Sequence, residues 1–222
     1  VMAGANFLGV LPKGGVFHST DGRIWHRSVF SVPDYGRVDS MLWTGSRLVA
    51  LTGAKLHTSA DGITWNSVSL AGSLDVKALI QTETRVLAFS YGNPGCFTSV
   101  TGEIWTPLDP PLDDSGMIFT TSATNGSRVL IGGSNGNLLF SEDNGGAWKS
   151  SSSGLKGAIH AIRWFADKWV VAGADGGVSS SPDGVRWTPQ SSGILAELYS
   201  EHCHGGLWVA GGSVKNGPDF EQ

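Results

Sequence analysis

Acidic side chains recur along this sequence at roughly regular intervals: Asp39, Asp75, Asp114 and Glu197, with His160 standing in the same series. Two carboxylates facing each other across a cleft could act as the acid and base of a glycoside hydrolase, provided they lie about 5–5.5 Å or about 6.5–9.5 Å apart. The plainer expectation is that side chains at such positions are solvated or bond exposed strand ends. Tyr35 and Tyr91 stand beside glycine and proline, where a tyrosine has little core to fill and can serve as a contact platform. Asp175 sits in a similar short polar stretch, Ala174-Asp175-Gly176. His202-Cys203-His204 is the one metal-like cluster, but neighbouring strand residues point to opposite faces. That leaves two histidines on one side where a closed zinc site needs four ligands, so no metal is expected. There is no Gly-x-Ser-x-Gly elbow, no Walker loop and no His-Glu-x-x-His, and no cofactor is implied.

The elements that must position these residues are short and glycine-rich. The chain has 222 residues, 40% apolar and 15% charged, with 32 glycines and 9 tryptophans. Such a length buries a core without staples, so Cys96 and Cys203 need not pair. The net charge is −4, and the 15 Lys and Arg residues are scattered singly, which excludes a phosphate-tracking surface and with it a nucleic-acid partner. Apolar runs such as Trp169-Val170-Val171-Ala172 fall far short of the ~20 residues that a membrane helix needs, so no membrane insertion is expected. The opening Val1-Met2-Ala3-Gly4 has no charged n-region or long apolar run, so a leader is expected to lie outside this numbering.

Internal repetition governs the rest. Five related segments align on their tryptophans: Ser19-Thr20-Asp21-Gly22-Arg23-Ile24-Trp25, Ser59-Ala60-Asp61-Gly62-Ile63-Thr64-Trp65, Ser99-Val100-Thr101-Gly102-Glu103-Ile104-Trp105, Ser141-Glu142-Asp143-Asn144-Gly145-Gly146-Ala147-Trp148 and Ser181-Pro182-Asp183-Gly184-Val185-Arg186-Trp187. The tryptophans are 40, 40, 43 and 39 residues apart. Each period reads as four short strands, because β-branched and apolar runs alternate with Gly, Asn, Ser and Asp clusters and nothing keeps a 3.6-residue period. Second strands such as Val129-Leu130-Ile131-Gly132 are apolar on both faces, as in a strand sandwiched between sheets. Four-stranded sheets repeating at this interval predict an all-β, β-propeller fold of antiparallel blades. In each turn the Asp carboxylate accepts backbone N–H bonds, Gly takes positive φ and Trp fills the wedge between blades.

These turns resemble the Asp-boxes, Ser-x-Asp-x-Gly-x-x-Trp, of sialidase-like (BNR) propellers, and the resemblance covers nearly the whole chain. Only the segment at Ser141 has the full spacing; Ser99 to Trp105 carries Thr101 in place of Asp and is expected to be the weakest turn. The resemblance implies that the face carrying the turns is structural and that the opposite face, carrying Tyr35, Asp39, Asp75, Tyr91, Asp114, His160, Asp175 and Glu197, holds the ligand. It also sets a test for sialidase activity, since a sialic-acid carboxylate is gripped by converging guanidiniums. Here Arg23 and Arg186 lie in the turns, Arg47, Arg85 and Arg128 begin second strands, and only Arg37 falls on the ligand face.

The expected organisation is a single propeller over 1–222 with periods 1–35, 36–72, 73–112, 113–156, 157–195 and 196–222. Inner strands should start near Asp39, Asp75, Met117, Ile159 and Glu197. The first period lacks its first strand, and 196–202 could supply it, giving five blades closed by strands from both termini. Residues 207–222 have no slot in that count, which keeps six blades, with incomplete end blades, as the alternative. The expected function is non-enzymatic binding or attachment to a glycan or protein partner, as a module of a larger chain or assembly. A glycoside hydrolase using the carboxylate series and a structural module of a phage tail or capsid are the rival readings, and an extracellular or virion setting suits them.

Overall fold

The computed structural model describes residues 2–3, 6–10, 15–30, 38–53, 55–70, 76–90, 96–108, 117–204 and 207–214. The chain divides into two compact units, Val1–Asp109 and Pro110–Gln222. In the first unit, β1 (Met2–Ala3), β2 (Asn6–Val10), β3 (Val16–Ser19) and β4 (His26–Arg27) form one antiparallel sheet in chain order. A short strand, β5 (Val29–Phe30), then pairs in parallel with the outer strand of the next sheet. That sheet consists of β6 (Val38–Trp43), β7 (Leu48–Thr52), β8 (Lys55–Ser59) and β9 (Thr64–Val68), and a third follows with β10 (Val76–Gln81), β11 (Val86–Ser90), β12 (Cys96–Ser99) and β13 (Thr106–Leu108).

The second unit repeats the plan. Its sheets are β14 (Phe119–Thr124), β15 (Val129–Gly133), β16 (Asn137–Ser141) and β17 (Lys149–Ser152), then β18 (Ile159–Phe165), β19 (Lys168–Gly173), β20 (Gly177–Ser181) and β21 (Thr188–Ser191). A final pair, β22 (Ala196–His204) and β23 (Leu207–Val214), forms a two-stranded sheet. These antiparallel four-stranded sheets are propeller blades; among the described residues there are five of them and one two-stranded sheet. The inner strands start within two residues of the expected positions, at Val38, Val76, Phe119, Ile159 and Ala196. As their composition requires, the second strands β7 and β15 are buried along their whole length.

Two expectations about the ends are corrected. The first blade has its inner strand, the short β1, paired Met2 to Phe7 and Ala3 to Asn6. The strand expected to complete that blade from the C-terminal side does not do so: β22 pairs with β23 from Ala196–Val214 to His204–Leu207, while β2 has β1 and β3 on its two edges. A hairpin between strands two residues apart closes a far smaller loop than pairing with the first blade would, so the local partner wins.

The turns between third and fourth strands have the bonding their sequence promises. Ser19 Oγ donates to Asp21 Oδ1 (3.0 Å) and accepts from the Gly22 N–H (2.9 Å), while Asp21 Oδ1 accepts from the N–H groups of Arg23 (2.8 Å) and Ile24 (3.0 Å). Ser59 with Asp61 and Ser181 with Asp183 repeat the set. In the longer turn, Ser141 and Asp143 hold Gly145 N–H and Ala147 N–H at 2.8 Å each. In the Thr101 turn, Ser99 Oγ still takes the Gly102 N–H (2.8 Å), but Thr101 offers only a long 3.3 Å contact to the Glu103 N–H. Each tryptophan indole donates to the carbonyl of its turn glycine, from 3.0 Å at Trp105 to 3.3 Å at Trp25.

Within each unit, the turns at Gly62, Gly102 and Gly184 pack on the second strand of the blade before. Gly62 shows why glycine is needed there: its φ is +77°, and a Cβ would lie 2.6 Å from the Leu8 side chain. Trp65 is fully buried with Leu8, Val16, Leu48 and Ala50, and Trp187 packs against the Leu130–Trp169 cluster of the second unit. Trp25 departs from the expectation, being 43% exposed. Its indole keeps the bond to the Gly22 carbonyl all the same.

Candidate binding site

The inner strands share a feature that composition does not reveal. Each ladder between first and second strand slips by one residue just after its start, between Val38 and Ser40, Val76 and Ala78, Phe119 and Thr121, Ile159 and Ala161, and Leu198 and Ser200. The bulged residues are therefore Asp39, Lys77, Thr120, His160 and Tyr199. A bulge sets two residues against one, twists the strand and re-aims the extra side chain. All five lie at the start of a first strand, hence at the end of their blade away from the Ser-x-Asp turn, because that turn joins the third and fourth strands where the first strand finishes.

In the second unit three such residues come from consecutive inner strands. Thr120 Oγ1 donates to the Gly132 carbonyl (3.0 Å) and closely approaches the Ile159 carbonyl, tying β14 to β18. His160 Nε2 lies 2.9 Å from Glu197 Oε2, tying β18 to β22. An ionised carboxylate can only accept, so Nε2 carries the hydrogen of this contact. The Tyr199 ring sits 4.9 Å from the His160 ring at 42°, and Tyr199 is 54% exposed although Glu197 is buried. His160 thus touches a carboxylate on one side and an aromatic ring on the other at one strand end.

Of the expected ligand-face residues, the structure brings together His160 and Glu197. Asp175 occupies a single 3-10 turn, Ala174–Gly176, at the same end of its blade, with φ +54° and an exposed side chain. Asp39 lies in the first unit, where its Oδ2 accepts the Gly53 N–H (3.1 Å) of the second-to-third connection, a structural use. Tyr35, Asp75, Tyr91 and Asp114 lie outside the described residues, as do the side chains of His202, Cys203 and His204. Sequence reasoning missed Thr120 and Tyr199. Tyr199 had a signal: it follows His160 by 39 residues, the interval from Trp148 to Trp187.

The opposite ends of the blades spend their charges on the fold. Arg47 pairs with Glu103 at 2.6 Å, joining the second blade to the turn of the third. Arg128 bonds the Asp183 carbonyl and Glu142, whose carboxylate Lys149 also holds at 3.0 Å. Lys149, followed by Arg128, keeps Glu142 below the usual carboxylate range. In the turns the Ile24 and Arg23 N–H groups lower the pKa of Asp21, those of Arg186 and Val185 that of Asp183, and the Ala147 N–H with Ser141 that of Asp143. At Asp61, burial is the largest single influence and pushes upward, but the combined Thr64, Ile63 and Ser59 hydrogen bonds outweigh it and the net shift is down. Among the described residues, no group of three or more His, Cys, Asp or Glu is gathered to hold a metal ion, and no helix is long and apolar enough to cross a membrane.

Residues 13–170 match the model of the DUF6242 β-propeller domain. The chain belongs to that family. No curated protein matches it. Similar solved structures include YCF48 from Cyanidioschyzon merolae, at 18% identity and a TM-score of 0.68 over 95% of this chain and 75% of that one. YCF48 bound to D1 peptide matches at 20% identity and 0.56 over 77% of this chain. An ancestral GH74 enzyme matches at 15% identity and 0.64 over 84% of this chain. This propeller spans 59% of that YCF48 chain and 29% of the GH74 chain. At such identities the likeness is one of fold.

Proposed function

We propose that this propeller is a non-catalytic binding module that holds a partner polypeptide across the starts of its inner strands, away from the Ser-x-Asp turns. The observation that carries the reading is the contact of His160, Glu197 and Tyr199, set by bulges at matching places on β18 and β22. A half-exposed tyrosine beside a fixed imidazole gives an apolar face with acceptors at its rim, the mixture that anchors a peptide side chain and its backbone N–H. The turns have the hydrogen bonds of Asp-boxes, which supports their reading as scaffold, and Arg47 and Arg128 are engaged there. YCF48, a propeller of the same fold, has been solved with a peptide bound.

A glycan is the second reading, because Tyr199 beside a carboxylate also suits a sugar ring and its hydroxyls. Parallel peptide and glycan arrays, with a turnover screen on aryl glycosides and oligosaccharides, decide between them. Peptide binding without turnover is expected, weakened about tenfold or more by His160→Ala with Tyr199→Ala. Turnover abolished by Glu197→Gln would overturn the non-catalytic reading.

A further inference from the structure

Two histidines of the first blade stand directly across a strand pair. His18 of β3 is the register partner of His26 of β4, and their rings lie 5.8 Å apart at 33°. Ser28 extends this ladder by donating its N–H to the Val16 carbonyl (2.8 Å). Side chains on one face of a strand recur every second residue, so Val16, His18, His26 and Ser28 share a face. Val16 is buried with Trp65 on that face, whereas His18 is half-buried and His26 exposed.

The hydrogen bonds behind the pair decide which nitrogen of His18 carries a proton. The buried Ser28 hydroxyl has one hydrogen and gives it to the Gly62 carbonyl at 2.6 Å, since a carbonyl can only accept. His18 Nδ1 lies 3.3 Å from the same Oγ, which is left as an acceptor, so Nδ1 carries the hydrogen. In the neutral form that a metal takes, the lone pair of His18 is therefore on Nε2. A ring that donates through one nitrogen to an outer partner and keeps its lone pair on the other is the arrangement of metal-bound histidines. With metal–nitrogen bonds of about 2.0–2.1 Å, two imidazoles on one ion hold their ring centres roughly 4.5–6 Å apart, and the 5.8 Å here falls in that interval. The exposed His26 ring can turn a nitrogen toward the same point about its side-chain torsions.

We propose that His18 and His26 chelate a late first-row divalent cation, copper(II) before zinc, with water in the remaining positions. Two imidazoles cannot close a tetrahedral zinc site, but copper(II) accepts tetragonal nitrogen and oxygen coordination and heads the affinity order of these ions. Ser28 is the positioning residue, holding Nδ1 of His18 while bonded to the turn of the second blade. The bound ion clips the two-residue β4 onto β3 and stabilises the folded chain by mass action. This site is separate from the His160 contact and does not rest on it.

The test titrates copper(II) into the full 222-residue protein in a non-chelating buffer, reading affinity by calorimetry and the ligand set by electron paramagnetic resonance. An ion coupled to two imidazole nitrogens is the expected result, with a melting temperature that rises with copper. Ser28→Ala frees His18 to bind through either nitrogen, so it should weaken binding about tenfold, the usual loss for an outer partner, and broaden the copper resonance. His26→Ala, at an exposed position whose loss leaves the fold intact, should weaken binding at least as much and abolish the copper-dependent rise in melting temperature. Copper held equally well by His26→Ala, and lost instead with His202→Ala and His204→Ala, overturns the proposal. So does the absence of binding, zinc bound more tightly than copper, or a Ser28→Ala variant that binds unchanged.

Discussion

Trp65→Ala and Trp25→Ala remove the same residue from the same turn motif, so their comparison separates burial from motif. Trp65 is 0% exposed and fills the space between Leu8, Val16, Leu48 and Ala50. Truncating a buried aromatic costs about 3–5 kcal/mol, transfer and cavity together. The lost indole bond to the Gly62 carbonyl (3.1 Å) adds little, because Ser28 Oγ still donates to that oxygen at 2.6 Å. Trp25 makes the same bond at 3.3 Å while largely exposed, so its loss should cost about 1 kcal/mol or less. With a urea slope of about 1–3 kcal/mol/M, Trp65→Ala should lower the unfolding midpoint by ~1–5 M and, at the same slope, Trp25→Ala by no more than about a third of that. Equal shifts would refute the reasoning, since they would place the energy in the motif rather than in packing against the preceding blade.

Asp143→Ala should cost about 1–2 kcal/mol and Thr101→Ala well under 1 kcal/mol, because Thr101 makes only a 3.3 Å contact; equal losses by denaturant titration would contradict the assigned roles. Asp21, Asp61, Asp143 and Asp183 titrate below their ordinary value of about 3.9, so their contribution is complete above that pH and is lost as pH falls through the lower folded values. A thermal-melt series should therefore show stability declining below about pH 4, and Asp61→Asn with Asp183→Asn should flatten that decline. Burial pushes the Cys96 thiol up to about 12, so a disulfide reagent at pH 8 should label Cys96 only when the protein unfolds; rapid labelling of Cys96 in the native protein, mapped by peptide mass, would show the third blade to be open.

Much of the architecture was legible because each blade is specified locally. A Ser/Asp/Gly turn, a doubly apolar second strand and a regular tryptophan interval fix where strands begin, and Ile159 was placed to the residue. What was not legible depends on competition or on register. Which strand β22 joins is decided between a hairpin with β23 and a distant edge of β2, and the apolar pattern of β22 serves either equally. The bulges add one residue without changing composition, so Thr120 and Tyr199 looked like ordinary strand residues and Lys77 drew no notice. His160 and Glu197 were picked as separate members of a carboxylate-rich series; that they bond each other follows from the bulge that re-aims His160 toward β22. Trp25 was misjudged because an identical turn does not bring identical burial: its indole makes the bond to the Gly22 carbonyl while staying 43% exposed.

Site-specific photo-crosslinking tests the central claim most directly. A benzophenone side chain replaces Tyr199 in one variant and Ile24, an equally exposed residue of a Ser-x-Asp turn (64% against 54%), in another, and each is irradiated with the best binder from the peptide array. The account predicts crosslinks to peptide from position 199 and none above background from position 24; capture at position 24 with none at 199 would contradict it.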